Sequence, residues 1–405
     1  MPIPSMQVAP EQQSMKLCPE QADLMRQPKV SGNGCPCRCC GGPTGDIRIA
    51  DIRKHGNKYT KWLQKPDGRI IEYYVYGSDA PDARIFLQIN GSMGSAKFFS
   101  EMPSMIKVLE AQKVKAIAIN IAGHGFTSLD PLRRMGEWPK TDVEPVFEAE
   151  NVATDAPLII EGSSFGASHA MAAMWHFQDR VTAVHFHVPP LSSEVAKELK
   201  LTKISEGLSC NGYYPQKCFL IPGHCCTPCL FCCCYCCFNL PCALSQIDGL
   251  KKLPGWDKIK EEHNFEASEV MKYANIAHSY AAGVHGVIYN SLLGQLFTEW
   301  GFHPFNDIKT NNIKRMKIMV TYGMKDNSSP TDHGEYMAKF YSEQCNAEGK
   351  LFQNVEPGEV AGNTEGGKCL VNVAEPPKGA TGHEAHFVQF CKGDLLRKFM
   401  ELASA

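Results

Sequence analysis

The sequence predicts an α/β protein with a mostly parallel sheet of about eight strands, helices on both faces, and an inserted helical cap rich in cysteine. Two observations predict the sheet. Short apolar runs alternate with segments of helical spacing, and several of these runs end in glycine and polar residues. A third observation predicts the cap: a long stretch interrupts this alternation between two apolar runs. A chain of 405 residues is long enough to bury such a core.

The charge balance excludes one class of partner. Lys and Arg number 41 against 43 Asp and Glu, for a formal net charge of −2. No basic stripe stands out, so we expect no nucleic-acid binding. The N-terminus has neither the basic start and apolar stretch of a secretory signal nor the Arg-rich character of a transit peptide. We therefore expect a cytoplasmic protein, with membrane association depending on the cysteines described below.

The changes in composition along the chain predict three regions. Residues 1–56 are rich in Pro, Gly and Cys and are interpreted as a flexible leader. Residues 57–190 and 313–405 form the predicted core. Residues 191–312 form the predicted cap, which contains the cysteine-rich segment 210–242.

The core begins with a hairpin signal, because two aromatic and β-branched runs flank the turn Pro66-Asp67-Gly68. Apolar composition then predicts strands at ARIFLQING, VKAIAINIAG, APLIIEGSS, VTAVHFHVPP, KIMVTYGMKD and KLFQNVEPG. Helical spacing predicts helices at SAKFFSEMPSMIKVLEAQK, GASHAMAAMWHFQ, HGEYMAKFYSEQ and FVQFCKGDLLRKFMELA, and in the cap at EASEVMKYANIAHSYAAGV.

Candidate catalytic residues follow the ends of three predicted strands. Ser164 lies in Gly162-Ser163-Ser164-Phe165-Gly166, Asp326 follows a later strand, and His383 follows the last one. The carboxyl ends of parallel strands share one sheet edge, where ligands bind. A serine hydroxyl needs an imidazole to accept its proton, and a carboxylate can hold that imidazole in the correct tautomer. The sequence therefore predicts a Ser-His-Asp site.

The negative charge that develops on a substrate oxygen needs backbone N–H donors. Phe165 directly follows the serine and supplies one N–H group. We expect the second donor in the loop NGSMGS, which follows the strand at 84–90.

Five motifs in this order resemble the capped, serine-nucleophile α/β-hydrolases, over roughly residues 59–404. They are Asn90–Gly94, Gly123–Ser128, Gly162–Gly166, Gly323–Pro330 and Gly382-His383. The resemblance implies Ser164 as nucleophile, His383 as base and Asp326 as acid. It also implies Ser92 and Phe165 as the oxyanion donors. A serine nucleophile disfavours the branches of the family that attack with aspartate.

The sequence departs from the family in two places. Asn90 stands where the family usually has histidine, which leaves Ser92 and Met93 as alternative donors. An insertion of roughly 25 residues, EPGEVAGNTEGGKCLVNVAEPPKGAT, precedes His383 and leaves His386 as an alternative base. Asp332 is the alternative acid, although we expect it to begin the following helix. His124 is expected to support a turn near the site.

The chain contains 19 cysteines, and most lie in the cap. The stretch from Cys218 to Ile247 has no charged side chain, but its prolines break any single membrane-spanning helix. S-acylation at a membrane surface is the favoured interpretation. Buried thiols remain open, as does zinc. The zinc ligands would be Cys225, Cys226, Cys229 and Cys232.

The predicted function is hydrolysis of an ester or thioester, with a small apolar acyl substrate, through an acyl-enzyme. No cofactor and no catalytic metal are expected. Two alternatives stay open: a catalytically idle fold that binds a ligand or tethers to a membrane, and an acyltransferase with the same three residues.

Overall fold

The structure is a computed structural model. It describes residues 49–92, 94–128, 130, 133–202, 250–251, 253–279, 281, 300–326, 328–344, 369–374 and 382–404.

The described residues form one eight-stranded sheet with strand order β1-β2-β4-β3-β5-β6-β7-β8. β2 runs antiparallel to β1 and β4, and every other pair is parallel. The predicted fold class is confirmed, and β1 and β2 form the predicted hairpin. The strands are Thr60–Gln64 (β1), Ile70–Gly77 (β2), Arg84–Ile89 (β3), Val114–Ile119 (β4), Leu158–Ser163 (β5), Val181–His187 (β6), Lys317–Gly323 (β7) and Cys369–Ala374 (β8).

The last strand corrects the sequence analysis. We assigned Cys369–Ala374 to an insertion, but it forms β8 and pairs with β7. The segment KLFQNVEPG, which was expected to form the last strand, lies outside the described residues. Nearly all of β8 is buried, because β7 and a helix cover it. The predicted insertion therefore contains a core strand, and His383 follows β8 closely.

The helices lie between the strands, as predicted. Two predicted helices are each split in two. Pro103 cannot continue the helix that precedes it, and Gly393, with φ 78°, ends the first part of the predicted closing helix. The α-helices of the core are Ile49–His55 (α1), Lys97–Ser100 (α2), Pro103–Ala111 (α3), Glu144–Ala149 (α4), Phe165–His176 (α5), Thr331–Gln344 (α10), Phe387–Lys392 (α11) and Asp394–Ser404 (α12); those between β6 and β7 are Ser193–Glu198 (α6), Trp256–His263 (α7), Ala267–Glu269 (α8) and Thr310–Ile313 (α9).

Both faces of the sheet are buried, which explains why the strands read as continuous apolar runs. Side chains alternate between the faces, so that neighbouring residues of β5 such as Leu158 and Ile159 belong to different core clusters. The first face packs against helices that include α5 and α10. The second face packs against helices that include α3, α11 and α12.

Two predicted regions can be compared with the structure only in part. α1 lies inside the predicted leader 1–56, and its Ile52 is fully buried beside Ile70 and Phe126. In the cap, α8 continues as the wider π-type helix Val270–Ala277, and together they form the cap helix. A helix was predicted there. The cysteine-rich segment 210–242 lies outside the described residues, and the domain boundaries stay predictions.

Glu72 on β2 is a fully buried carboxylate that four donors surround. Its Oε1 accepts from the Tyr74 hydroxyl (2.6 Å) and contacts Nε2 of His278 (2.9 Å). Its Oε2 accepts from Nδ2 of Asn120 (2.6 Å) and N–H of Phe126 (2.8 Å). Burial raises the pKa of Glu72, but His278 and these hydrogen bonds lower it by a larger amount. The pKa of Glu72 therefore lies below its ordinary value. One ionised side chain thus joins β2, the loop after β4 and the segment after the cap helix.

We expect Glu72→Ala to lower the free energy of unfolding by about 3 kcal/mol or more, because four buried donors lose their acceptor. Glu72→Gln keeps one acceptor oxygen and should cost less. Since the folded-state pKa of Glu72 is lowered, its contribution is complete above the ordinary carboxyl pKa of 4.5 and is lost on acidification below it. Urea unfolding of the three proteins at pH 7 and pH 4 measures this, and a loss below about 1 kcal/mol for Glu72→Ala at pH 7 would contradict it.

Candidate functional site

Ser164 occupies a strained turn between β5 and α5. Its backbone has φ 52° and ψ −127°, a conformation that non-glycine residues rarely adopt. Its N–H donates to the carbonyl of His187 on β6 (2.7 Å), and its carbonyl accepts from N–H of Ala167 (2.8 Å). The serine is partly exposed, whereas the residues that follow it are buried. The turn therefore holds a serine at the carboxyl edge of the sheet, where a ligand can reach it.

Glycines surround this turn because no side chain would fit. A Cβ atom on Gly162 would lie 2.4 Å from the carbonyl oxygen of Gly166, and one on Gly166 would lie 2.5 Å from the carbonyl oxygen of Asn90. A Cβ atom on Gly91 would lie 2.9 Å from Cβ of Ser164. Such distances are shorter than real Cβ contacts. The loop after β3 and the start of α5 therefore pack directly on the serine.

Asp326 and His383 meet on the neighbouring loops. Nδ1 of His383 donates to Oδ2 of Asp326 (2.9 Å), while Oδ1 of Asp326 accepts from N–H of Ser328 (2.8 Å) and Ser329 (2.9 Å). The carboxylate is 1% exposed and the imidazole 24% exposed. Because the Nδ1 proton is directed at the carboxylate, the lone pair of a neutral His383 lies on Nε2.

Gly382, which directly precedes His383, positions the histidine loop. In the structure it packs on the loop after β7: a Cβ atom on Gly382 would lie 2.2 Å from the carbonyl oxygen of Met324 and 2.5 Å from N of Asp326. A Cβ atom on Gly323 would in turn lie 1.8 Å from the carbonyl oxygen of Gly382. The two glycines bring His383 to Asp326.

The alternative base, His386, is engaged elsewhere. It is buried, and its Nε2 donates to the carbonyl of Tyr322 (2.9 Å). Burial lowers the pKa of His386 to about 4, although the bond to Tyr322 opposes this shift. The geometry favours the partly exposed His383 as the histidine of the site.

The alternative acid, Asp332, is also occupied. It lies in the first turn of α10, as expected, and its Oδ2 accepts from N–H of Thr202 (2.7 Å). The neighbouring His333 contacts the carbonyl of Thr202 (2.7 Å) and N–H of Leu191 (3.0 Å). Asp332 and His333 thus hold the segment that follows β6, whereas the carboxylate of Asp326 contacts His383.

The oxyanion donors Phe165 and Ser92 stay predictions, and several observations bear on them. Phe165 is the first residue of α5, so its N–H has no acceptor within the helix. In the loop after β3, which we call the β3 loop (residues 90–95), N–H of Gly91 donates to Oδ1 of Asn90 (2.8 Å) and N–H of Gly94 to the carbonyl of Gly91 (3.1 Å). The N–H groups of Gly91 and Gly94 are therefore already bonded and cannot donate to an oxyanion. Ser92 lies between them, and Met93 lies outside the described residues.

Asn90, which replaces the usual histidine, organises the β3 loop. Besides accepting from Gly91, its Nδ2 donates to the carbonyl of Ser95 (2.6 Å) and to Oδ1 of Asn275 (2.7 Å). His124 supports the same loop, as expected, through Nδ1 and the carbonyl of Gly94 (2.8 Å). The side chain of Asn90 therefore fixes the geometry of the β3 loop and bonds it to the cap helix.

Sequence reasoning missed how many polar side chains lie beneath this edge. The Ser163 hydroxyl contacts Nδ1 of His187 (3.3 Å). Burial, followed by the nearby His185, His386 and His383, lowers the pKa of His187 well below its ordinary value. His187 is the residue whose backbone carbonyl holds the N–H of Ser164. The alternation of His185 and His187 in β6 was the signal, and both prove to be buried.

A second buried layer lies one row deeper on the same face. Nε2 of Gln88 donates to Oε1 of Glu161 (2.7 Å), whose Oε2 contacts Nδ1 of His185 (3.0 Å). Nε2 of His185 contacts the Thr321 hydroxyl (2.9 Å). This chain of hydrogen bonds crosses β3, β5, β6 and β7 and ties together the strands that carry the site.

The structure offers no support for a metal or a membrane-spanning segment in the parts it describes. Within these ranges, no group of three or more His, Cys, Asp or Glu side chains is arranged to bind a metal ion. No helix among the described residues is both long and apolar enough to cross a bilayer. The proposed zinc ligands Cys225, Cys226, Cys229 and Cys232 lie outside the described residues.

Comparison with known proteins identifies the fold. No protein-family profile matches the sequence, and no curated protein matches it. The structure is similar to an esterase, RhEst1, from Rhodococcus sp. ECU1013, with 14% identity, a TM-score of 0.50, and coverage of 85% of this chain and 98% of the esterase. It is also similar to a bromoperoxidase from Bacillus anthracis, with 11% identity, a TM-score of 0.50, and coverage of 84% and 99%. The chain has the α/β-hydrolase fold.

We expect acidification to destabilise the protein through His386. Above pH 6.5 the residue is neutral in both states. Below pH 6.5 the unfolded state gains a proton, while the folded state, with a pKa of about 4, does not. The free energy of unfolding therefore decreases as the pH is lowered. Between pH 6.5 and pH 5 this group accounts for a loss of about 2 kcal/mol. Urea unfolding of the wild type and His386→Gln over pH 5–8 measures it. A stability difference between the two proteins that stays constant below pH 6.5 would contradict the prediction.

Proposed function

We propose that the chain is a serine hydrolase that cleaves an ester or thioester through an acyl-enzyme, with Ser164, His383 and Asp326 as its catalytic residues. The observation that carries the proposal is the Asp326–His383 hydrogen bond at the same sheet edge as the strained turn of Ser164. The fold alone does not select a chemistry, because α/β-hydrolase folds carry many.

In the first step, the Ser164 hydroxyl oxygen attacks the carbonyl carbon of the substrate. Nε2 of His383 accepts the hydroxyl proton, and the carboxylate of Asp326 stabilises the imidazolium that forms. Asp326 suits this role because the amides of Ser328 and Ser329 fix its other oxygen, so the carboxylate cannot turn away. The substrate oxygen becomes an alkoxide, for which Phe165 and Ser92 would donate N–H groups.

In the second step, the carbon–oxygen or carbon–sulfur bond of the substrate breaks. The leaving alcohol or thiol takes the proton from His383, and the acyl group stays on Ser164. Water then attacks this acyl-enzyme, giving its proton to His383. The tetrahedral intermediate collapses to release a carboxylic acid, and the proton returns to Ser164.

The nature of the acyl group is a separate part of the proposal. We favour an apolar acyl group, because the cap contains the long uncharged run from Cys218 to Ile247 and a cap covers the sheet edge in this family. S-acylation of cysteines in the same run would hold the protein at a membrane surface. The run from Cys218 to Ile247 lies outside the described residues.

We expect Ser164→Ala to abolish labelling by a fluorophosphonate probe and to lower ester hydrolysis at least about 10³-fold, because no other group replaces the nucleophile. His383→Ala and Asp326→Asn should also lower kcat strongly. The measurements are mass spectrometry of the labelled peptide and turnover of p-nitrophenyl butyrate, p-nitrophenyl decanoate and a decanoyl thioester. A preference for the longer chains would support the apolar acyl group.

Two matched controls test the assignments. Ser163→Ala removes the adjacent hydroxyl and should leave the label on residue 164. Asp332→Asn keeps an acceptor for Thr202 and should retain activity, in contrast to Asp326→Asn. Full hydrolysis by Ser164→Ala would refute the proposal. An unlabelled wild type without turnover would favour the idle fold, and acyl transfer to an added alcohol in preference to water would favour the acyltransferase.

A further inference from the structure

Among the described residues, Asn275 of the cap helix forms hydrogen bonds with the β3 loop. Its Oδ1 accepts from Nδ2 of Asn90 (2.7 Å) and from N–H of Ser95 (2.9 Å). Asn275 is 9% exposed, and its own Nδ2 faces the sulfur of Met271 (3.7 Å). A residue of the cap thus bonds to both ends of the loop that is predicted to hold an oxyanion donor, although it lies 185 residues from Asn90 in sequence.

Hydrogen bonds of Asn90 and Asn275 join the two ends of the β3 loop to each other and to the cap helix. Asn90 holds Gly91 through its Oδ1, and it holds both the Ser95 carbonyl and Asn275 through its Nδ2. Without Asn275, the Ser95 amide would lose its acceptor, and the Asn90 side chain would keep only contacts within its own loop. The β3 loop packs directly against the nucleophile, since a Cβ on Gly91 would lie 2.9 Å from Cβ of Ser164. A small shift of the loop would therefore change the position of its amides relative to Ser164.

Two other contacts hold the segment after the cap helix and do not involve Asn275. Nε2 of His278 contacts Glu72 (2.9 Å), and the carbonyl of Ser279 accepts from N–H of Gly125 (2.9 Å). Removing the Asn275 side chain should therefore leave the cap helix in place. We therefore expect loss of the Asn275 side chain to make the β3 loop more mobile while the cap helix keeps its position.

We propose that Asn275 is a positioning residue of the cap, which acts through Asn90 and the Ser95 amide to hold the β3 loop in the geometry that stabilises the oxyanion. The proposal rests on the proposed function. It adds that the catalytic geometry is complete only with the cap helix in contact, so the cap contributes to turnover as well as to substrate choice.

The test compares three variants of the full chain. Asn275→Ala removes both acceptor bonds, and Asn275→Asp keeps an oxygen that can accept them. Tyr273→Ala changes a 57% exposed side chain on the same helix. We expect Asn275→Ala to lower kcat for p-nitrophenyl butyrate by about 10- to 100-fold with little change in KM, because displaced catalytic groups mainly affect the transition state. Asn275→Asp at pH 8 and Tyr273→Ala should stay within about threefold of the wild type.

Hydrogen exchange supplies a readout that needs no activity. In Asn275→Ala, amides in a peptide covering residues 90–96 should exchange faster, while peptides from β5 and β6 keep wild-type exchange. Wild-type kcat in Asn275→Ala, equal impairment of Asn275→Asp, or unchanged exchange at 90–96 would overturn the proposal. If Ser164→Ala retains activity, the proposed function fails by itself, and the exchange comparison still decides whether Asn275 holds the loop.

Discussion

The rest of the site depends on the close backbone packing around Ser164. A non-glycine residue with φ 52° is strained by roughly 1–3 kcal/mol, so surrounding structure must hold it. The His187 carbonyl binds its N–H, and the glycines at 91, 162 and 166 let three backbone segments approach where any side chain would overlap. Once this turn is fixed, the β3 loop and the start of α5 have little conformational freedom. The loops that carry Asp326 and His383 lie at the same edge of the sheet.

Buried polar groups join the parts of the chain that this edge needs. Glu72 gathers donors from β2, the loop after β4 and the segment after the cap helix, and Asn275 binds the β3 loop. A buried carboxylate or amide is favourable only when its partners are in place, so each such group requires one arrangement of its neighbours. These hydrogen bonds therefore specify how the cap helix sits on the core, which apolar contacts alone would specify less strictly.

Local patterns predicted much of the fold. Strand-length apolar runs were recognisable because both sheet faces are buried, and Ser164 and Asp326 were predicted from the ends of two strands that the structure contains, β5 and β7. The last strand was missed because Cys369–Ala374 lies among glycine, proline and polar residues, which resemble a loop. The break at Pro103 was predictable from its ring and was overlooked because the apolar spacing continues across it.

The sequence by itself determined the class of fold, the first seven strands and the candidate triad, since periodicity and turn residues act between neighbours in the chain. The tertiary structure decided which histidine meets Asp326, because Gly323 and Gly382 touch only when β7 and β8 are paired. It also decided the partners of Glu72 and Asn90. His278 lies 206 residues from Glu72, and Asn275 lies 185 residues from Asn90. Hydrogen bonds over such separations depend on the path of the folded chain, which no local pattern encodes.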